Sequence, residues 1–428
     1  MASTLAAAPS ERSYIGPMII IGVLFFIMGF FTWLNGPLTI FVKLAFKLDD
    51  VSAFLIPVAF YLSYFVLALP SAAILKRTGM KHGMGLGLFV MAIGAVLFAQ
   101  FIDLRVYHGA LVGLFVIGAG LSLLQTASNP YISILGPIDS AAQRIAAMGI
   151  CNKLAGAAAP FVFGWLVLSG LDTLDQQVKA AATPAAADAL LNSFASRVYW
   201  PYLTMAALLV LLAIWVVRSN LPEIKPAGAN DEHAIGHTGR SIFSFPHLWL
   251  GVLCLFLYVG VEVMAGDAIG IYGQGLGLPL DATKHFTAYT MFAMLSGYLV
   301  GLVLIPRFVS QQRYLAVSAV LGVLLAIGAY VTTGYASVTF VAALGFANAM
   351  MWPAIFPLAI KGLGSHTEVG SAYLIMGIVG GALVPQAFVH LKEFVNFQLA
   401  FVLLMVPCYL YILYYGLRGH RVGQHAAA

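Results

Sequence analysis

Apolar residues in this chain come in runs of about 20, the length an α-helix needs to cross a hydrocarbon core of about 30 Å at 1.5 Å per residue. The recurrence of such runs constrains the fold more than any other feature. Composition agrees, because 61% of the 428 residues are apolar and only 9% are charged, with a mean hydropathy of +0.94. A soluble chain of this length carries far more polar surface, so one ordinary globular core is excluded. The expected fold is all-α and polytopic, with twelve transmembrane helices.

The runs place spans near residues 15 to 42, 51 to 75, 83 to 102, 109 to 133, 143 to 169 and 198 to 217, and again near 247 to 273, 285 to 306, 314 to 332, 337 to 360, 367 to 390 and 396 to 416. The first 14 residues lack the ordered parts of a cleaved signal, so Ile15 opens a retained helix. Arg218 to Ser241, with Pro222, Pro226, Gly228, Asn230 and Gly236, reads as a linker. The expected organisation is a tail over 1–14, a six-helix bundle over 15–217, a linker over 218–246, a second bundle over 247–416 and a tail over 417–428. A polar stretch from Asp172 to Ser196 contains an Ala-rich piece, Ala180 to Leu191, suited to a short helix outside the membrane.

With alternating spans and a cytoplasmic start, the even-numbered turns and both tails hold thirteen Lys and Arg, and the opposite side holds seven. That asymmetry puts both termini in the cytoplasm. The net charge of +5 is then membrane topology, and no nucleic-acid partner is needed to explain it. The three cysteines, Cys151, Cys254 and Cys408, all fall inside spans, so no disulfide framework is implied.

The halves resemble one another, as in transporters built from repeats. Gly-Val-Leu opens spans one and seven at Gly22 and Gly251. Gly-Ala-x-x-Pro ends at Pro160 in span five and Pro385 in span eleven. Gln125 precedes Pro130 by five residues in span four, as Asn348 precedes Pro353 in span ten. The offsets, 229, 225 and 223 residues, nearly share one register.

Five strings carry a more specific likeness: Thr32-Trp-Leu-Asn-Gly-Pro-Leu38, Gln125-Thr-Ala-Ser-Asn-Pro130, Tyr258-Val-Gly-Val-Glu262, Trp352-Pro-Ala-Ile-Phe-Pro357 and Met376-Gly-Ile-Val-Gly-Gly381. They resemble the fucose permease subfamily of the major facilitator superfamily, nearest to its glucose, galactose or N-acetylglucosamine carriers, from Ile15 to Leu417. The resemblance implies two pseudo-symmetric six-helix bundles, alternating access, and cation-coupled uptake of a monosaccharide through a bacterial-type inner membrane, by a monomer without a cofactor. Two departures stand out. The permease carries an acid after the span-one asparagine, where this chain has Gly36, and a glutamate in span four, where it has Gln125. Its coupling route therefore does not transfer directly.

Three ionisable residues fall within spans: Lys153, Glu262 and Asp267. Each costs about 2.5 to 3.5 kcal/mol at a helix centre, which disfavours an unpaired lipid-facing placement. Lys153 lies about ten residues into span five and Glu262 about fifteen into span seven, so both reach mid-depth. Either they form a structural ion pair, or Glu262 is the coupling carboxylate with Lys153 as counter-charge or sugar donor. Asp267, nearer the external end, is a third coupling candidate or simply faces external water. The coupled cation is H+ or Na+.

Sugar recognition needs amides and carboxylates for hydroxyls and an aromatic face for the apolar side of the ring. Asn35, Gln125, Asn129, Asn152 and Asn348 supply amides at mid-span, Trp33 and Trp352 supply rings, and interhelical bonding or packing is the plain alternative for each. The expected cavity is lined by spans one, four, five, seven and ten. Gly36-Pro37 should interrupt span one, which is tolerated where freed backbone groups face a cavity. Lys76, Arg77 and Lys81 in the turn after span two, with Arg307 and Arg313 after span eight, are candidate gate cations; retention of positive charge inside explains them equally well.

An integral-membrane enzyme would need a nucleophile or metal cluster at one face. The ten histidines lie in loops or at span ends, the one His-x-x-x-His spacing, His233 to His237, falls in the polar linker, and no paired Cys or Gly-rich phosphate loop occurs. A passive sugar carrier and a non-transporting sugar sensor on the same fold remain as alternatives to a symporter.

Overall fold

Twelve helices are long and apolar enough to cross a membrane in the computed structural model, which describes residues 15–135, 141–222, 241–305, 307–363 and 366–424. In chain order they are Ile15–Ala45, Asp50–Thr78, Met80–Asp103, Tyr107–Asn129, Arg144–Leu166 and Pro184–Arg218, then Pro246–Gly266, Leu280–Leu304, Gln311–Val331, Gly334–Ile360, Val369–Leu391 and Phe397–Leu417. They are numbered here as spans one to twelve. The described residues contain no strand. The tail over 1–14 and most of the expected linker, residues 223–240, lie outside the described residues.

A short helix, Leu171–Lys179, follows span five, and span six is itself divided into Pro184–Ser196 and Tyr199–Arg218. Thr183 caps Pro184–Ser196 by accepting from the Ala186 N–H, so the Ala-rich piece is helical as expected. At the start of span two, Asp49 accepts from the Ser52 N–H, and the Ser52 contacts hold its carboxyl below the usual range.

Spans one and five, and their repeat counterparts seven and eleven, approach backbone to backbone through glycine. A Cβ on Gly29 would stand 2.1 Å from the Asn152 carbonyl oxygen, and one on Gly380 would stand 1.8 Å from that of Phe256. Small residues allow this contact, on which helix association in lipid depends.

Spans one, seven and ten are broken along their length, and span eleven passes through a 3-10 turn at Gly377–Val379. Span one stops at Trp33 and resumes at Asn35, because Pro37 lacks an N–H and its ring clashes with the carbonyl four residues back, that of Trp33. The expected interruption at Gly36-Pro37 thus falls at Leu34. Span ten breaks between Asn348 and Met351, again four residues before a proline, Pro353. Span seven ends at Gly266 and continues as Ile269–Gly275 after Asp267 and Ala268.

The breaks of spans one and seven meet. The Gly36 N–H donates to Asp267 Oδ1 at 3.1 Å, and the Tyr61 hydroxyl donates to Asp267 Oδ2 at 3.2 Å. Towards the membrane face opposite the one where the first span starts and the last ends, further contacts join the bundles. Lys43 donates to Gln274, Lys284 to the Leu168 carbonyl and Gln386 to the Val51 carbonyl, and Lys392 pairs with Asp50. These bonds close the opposite face. The central cavity lies between them and the terminal face.

Candidate functional site

A cavity of about 120 Å³ sits between the bundles, walled by spans one, two, four, five, seven, eight, ten and eleven. Spans two, eight and eleven were not expected there. Of the candidate site residues, Trp33, Gln125, Asn129, Asn152, Lys153, Glu262 and Trp352 line it.

The centre of the site is an ion pair across the bundle interface. Lys153 Nζ lies 3.0 Å from Glu262 Oε1, with only 6% of the lysine and 8% of the glutamate exposed. Tyr258, one turn before Glu262, lines the same part of the cavity wall. Leaving water costs each ion several kcal/mol, so removing one partner strands the other. The pair therefore holds spans five and seven together while both groups stay charged, and it responds to any proton or cation that reaches Glu262.

Trp33 lines the cavity and also touches the ion pair. The Lys153 ammonium lies 4.3 Å from the centre of its indole ring, and its N–H donates to Asn152 Oδ1 at 3.4 Å. The ring is clamped between spans five and seven, where a Cβ on Gly156 would approach it to 2.5 Å and one on Gly266 to 2.4 Å. The ring thus meets the cavity at one side while Lys153, Gly156 and Gly266 pack against it. Trp352 lies beside Phe356, ring planes 19° apart, on the cavity wall.

The amides divide. Gln125 lines the cavity, and its buried Oε1 has no partner among the described residues. Asn152 uses its Nδ2 on the Phe25 carbonyl at 3.3 Å, which joins spans one and five. Asn35 and Asn348 are not on the cavity wall, contrary to expectation. Asn35 is 1% exposed and donates to the Thr32 carbonyl at 3.1 Å; Asn348 is fully buried and accepts from the Tyr409 hydroxyl at 2.9 Å. Both sit at mid-depth but on sides of their helices turned into the bundle.

Asp267 is 2% exposed and bonded to Gly36 and Tyr61, which overturns the alternative that it faces external water. Among the gate candidates, Lys76 and Arg77 form the last turn of span two, and Lys81 caps span six through the Ser219 carbonyl at 2.7 Å. Arg307 lies 5.5 Å from the Phe308 ring centre, and Arg313 is exposed in the first turn of span nine. These contacts stay within one bundle.

Four tyrosines on the wall, Tyr61, Tyr64, Tyr258 and Tyr298, escaped sequence reasoning. The i, i+3 spacing of Tyr61 and Tyr64 at mid-span was the available signal. With Gln125, Asn129 and the ion pair, their hydroxyls give the cavity donors, acceptors and apolar ring faces together, the chemistry that suits a neutral solute bearing several hydroxyls.

A sequence profile of the Major Facilitator Superfamily matches residues 21–385. The chain is 35% identical over 416 residues to a protein of Brucella abortus named glucose/galactose transporter, covering 96% of each. It is 31% identical to the L-fucose-proton symporter of Escherichia coli, over 88% of this chain and 87% of that one. The crystal structure of the Escherichia coli fucose:proton symporter superposes with a TM-score of 0.73 at 27% identity, covering 95% of this chain and 98% of that one.

Proposed function

This chain belongs to the Major Facilitator Superfamily, in its fucose permease-like subfamily, and we propose that it carries a hexose or N-acetylhexosamine across the inner membrane by alternating access, in symport with a proton. The observation that carries this reading is the Lys153–Glu262 pair on the wall of a cavity that also presents Gln125, Asn129 and four tyrosines. The names of the relatives supply the sugar class, and the site supplies chemistry to match. It is not an enzyme.

Both termini are assigned to the cytoplasm by the charge asymmetry, so the closed opposite face is external and the cavity faces inward. In the cycle, Glu262 takes up a proton, the hydroxyls of the sugar meet Gln125 and the tyrosines, and the bundles rock about the site. Uphill transport needs a group whose hold on a cation differs between the two facing states, and a carboxylate in a cavity of changing wetness is one. A proton is favoured over sodium because an acid beside a lysine exchanges charge without a dedicated cage of oxygens. The terminal-face cations Lys76, Arg77, Lys81, Arg307 and Arg313 belong to the state in which that face shuts.

The test uses purified protein in liposomes with radiolabelled D-glucose, D-galactose, L-fucose and N-acetylglucosamine. Accumulation under an inward proton gradient, lost in Glu262→Gln while sugar counterflow persists, supports proton symport. Accumulation that follows a sodium gradient at fixed pH replaces the proton with sodium. Counterflow without accumulation under either gradient makes the protein a passive carrier, and sugar binding without counterflow makes it a sensor.

A further inference from the structure

We propose that Trp33 is the second seat of the Lys153 ammonium, holding it when Glu262 is protonated, and so sets the pH at which the carrier takes up its coupling proton. The inference rests on Glu262 being the proton-binding carboxylate.

The geometry gives Lys153 two partners at once, the Glu262 oxygen at 3.0 Å and the indole face at 4.3 Å. They differ in kind. A proton arriving at Glu262 removes the negative charge and with it most of the attraction for the ammonium. The indole attracts a cation through its quadrupole, which no proton can titrate. With no second seat, protonation of Glu262 would strand a bare ammonium in a nearly dry cavity, and that cost would oppose proton uptake. The remaining titratable groups around Glu262 are Tyr258 and Asp267 on its own span, Tyr61 on span two, Tyr298 on span eight and Tyr409 on span twelve. None of them offers the ammonium an untitratable face at this distance.

The seat is built to stay in place. Trp33 is 2% exposed, and Gly156 of span five and Gly266 of span seven close on the ring from both bundles. Its N–H is fixed on Asn152, the residue beside Lys153. Trp33 is therefore a positioning residue that acts through Lys153 on Glu262.

Infrared spectroscopy of the purified protein follows the carboxyl band of Glu262, identified by its loss in Glu262→Gln, as a function of pH and without any sugar. Trp33→Leu should move the titration midpoint to more acidic pH, by no more than about 1 unit, because the indole contact is already made while the ion pair is intact and only its strengthening on protonation counts. Trp33→Phe, which keeps a weaker ring face, should fall between wild type and Trp33→Leu. In a Lys153→Gln background, replacement of Trp33 should no longer move the midpoint. An unchanged midpoint in Trp33→Leu overturns the proposal, and so does a shift that survives in Lys153→Gln. Should Trp33→Leu fail to fold, the comparison of Trp33→Phe with wild type decides alone. If Glu262 does not titrate in wild type, the proton reading falls and takes this proposal with it. If Glu262 titrates indifferently to Trp33, this proposal falls alone.

Discussion

The Gly36 backbone N–H donates to the Asp267 carboxylate across the bundle interface, over a sequence separation of 231 residues. Lys43 and Gln274, next along the same two spans, are also bonded to each other and also 231 residues apart. Equal separation means that spans one and seven meet as counterparts on the axis that relates the halves. A contact on that axis changes when the bundles rock, so it reports which face is closed.

Loss of the Asp267 carboxylate should therefore weaken closure of the opposite face. Asp267→Ala leaves the Gly36 N–H and the Tyr61 hydroxyl without this acceptor, a penalty of about 1 to 3 kcal/mol, or roughly 5- to 150-fold in the closed-to-open ratio. Asp267→Asn keeps one acceptor oxygen and should have a smaller effect. Spin labels at the exposed Ser193 and Phe394, on a background with Cys151, Cys254 and Cys408 replaced by Ala, read the separation across that face. No widening in Asp267→Ala would mean that the bond is incidental to closure.

The spans were legible because length and hydropathy alone decide them, and the depth of Lys153 and Glu262 followed from counting residues at the rise of a helix. Azimuth was not legible. Asn35 and Asn348 have the right depth and the wrong side, since which side of a helix faces the cavity is set by the packing of its neighbours. Trp33 was recognisable as a large ring in the site, but nothing in the sequence says that an ammonium from span five lies on it. The break at Leu34 was readable more closely than at Gly36, because the ring of Pro37 acts on the carbonyl of Trp33.

Asn348 should behave as a structural residue and Gln125 as a binding one. Asn348→Ala removes the acceptor of the buried Tyr409 hydroxyl. It should lower stability by about 1 to 3 kcal/mol while changing sugar affinity little. Gln125→Ala removes an unpartnered acceptor on the cavity wall, so it should weaken sugar binding with little change in the melting temperature. Thermal unfolding with and without sugar separates the two effects, and a reversed pattern would undo the assignment.

Gly29→Ala tests the contact beneath the site. The added methyl would meet the Asn152 carbonyl oxygen at 2.1 Å, and the obstacle is backbone, which cannot rotate away. Overpacking of this kind costs about 1 to 3 kcal/mol. Because Asn152 holds Trp33 and neighbours Lys153, uptake should fall along with the melting temperature. Gly22→Ala, where the nearest atom is the Cys151 Sγ at 3.6 Å, is the control on the same span and should be mild in both measurements. Equal behaviour of the two variants would argue against a forced approach at Gly29.

The last prediction concerns Asp50, which is shared by two lysines from opposite bundles. Its Oδ1 lies 2.6 Å from Lys43 Nζ, and its Oδ2 pairs with Lys392 at the end of span eleven. Lys392→Ala removes one cross-bundle attraction but leaves Asp50 neutralised by Lys43. For a partly exposed pair that loss is about 0.2 to 1 kcal/mol, so the opposite face should open by no more than roughly 5-fold. Asp50→Ala removes the same attraction and also leaves Lys43 and Lys392 facing one another without an acid between them. Repulsion then adds to the loss, and the face should open further than in Lys392→Ala. Because these side chains are 21 to 28% exposed, salt reaches them, and raising the ionic strength should narrow the gap between the two variants. The label pair at Ser193 and Phe394 measures both variants at low and high salt. Opening in Lys392→Ala that equals or exceeds that in Asp50→Ala would show that the shared carboxylate does not hold the lysines at peace.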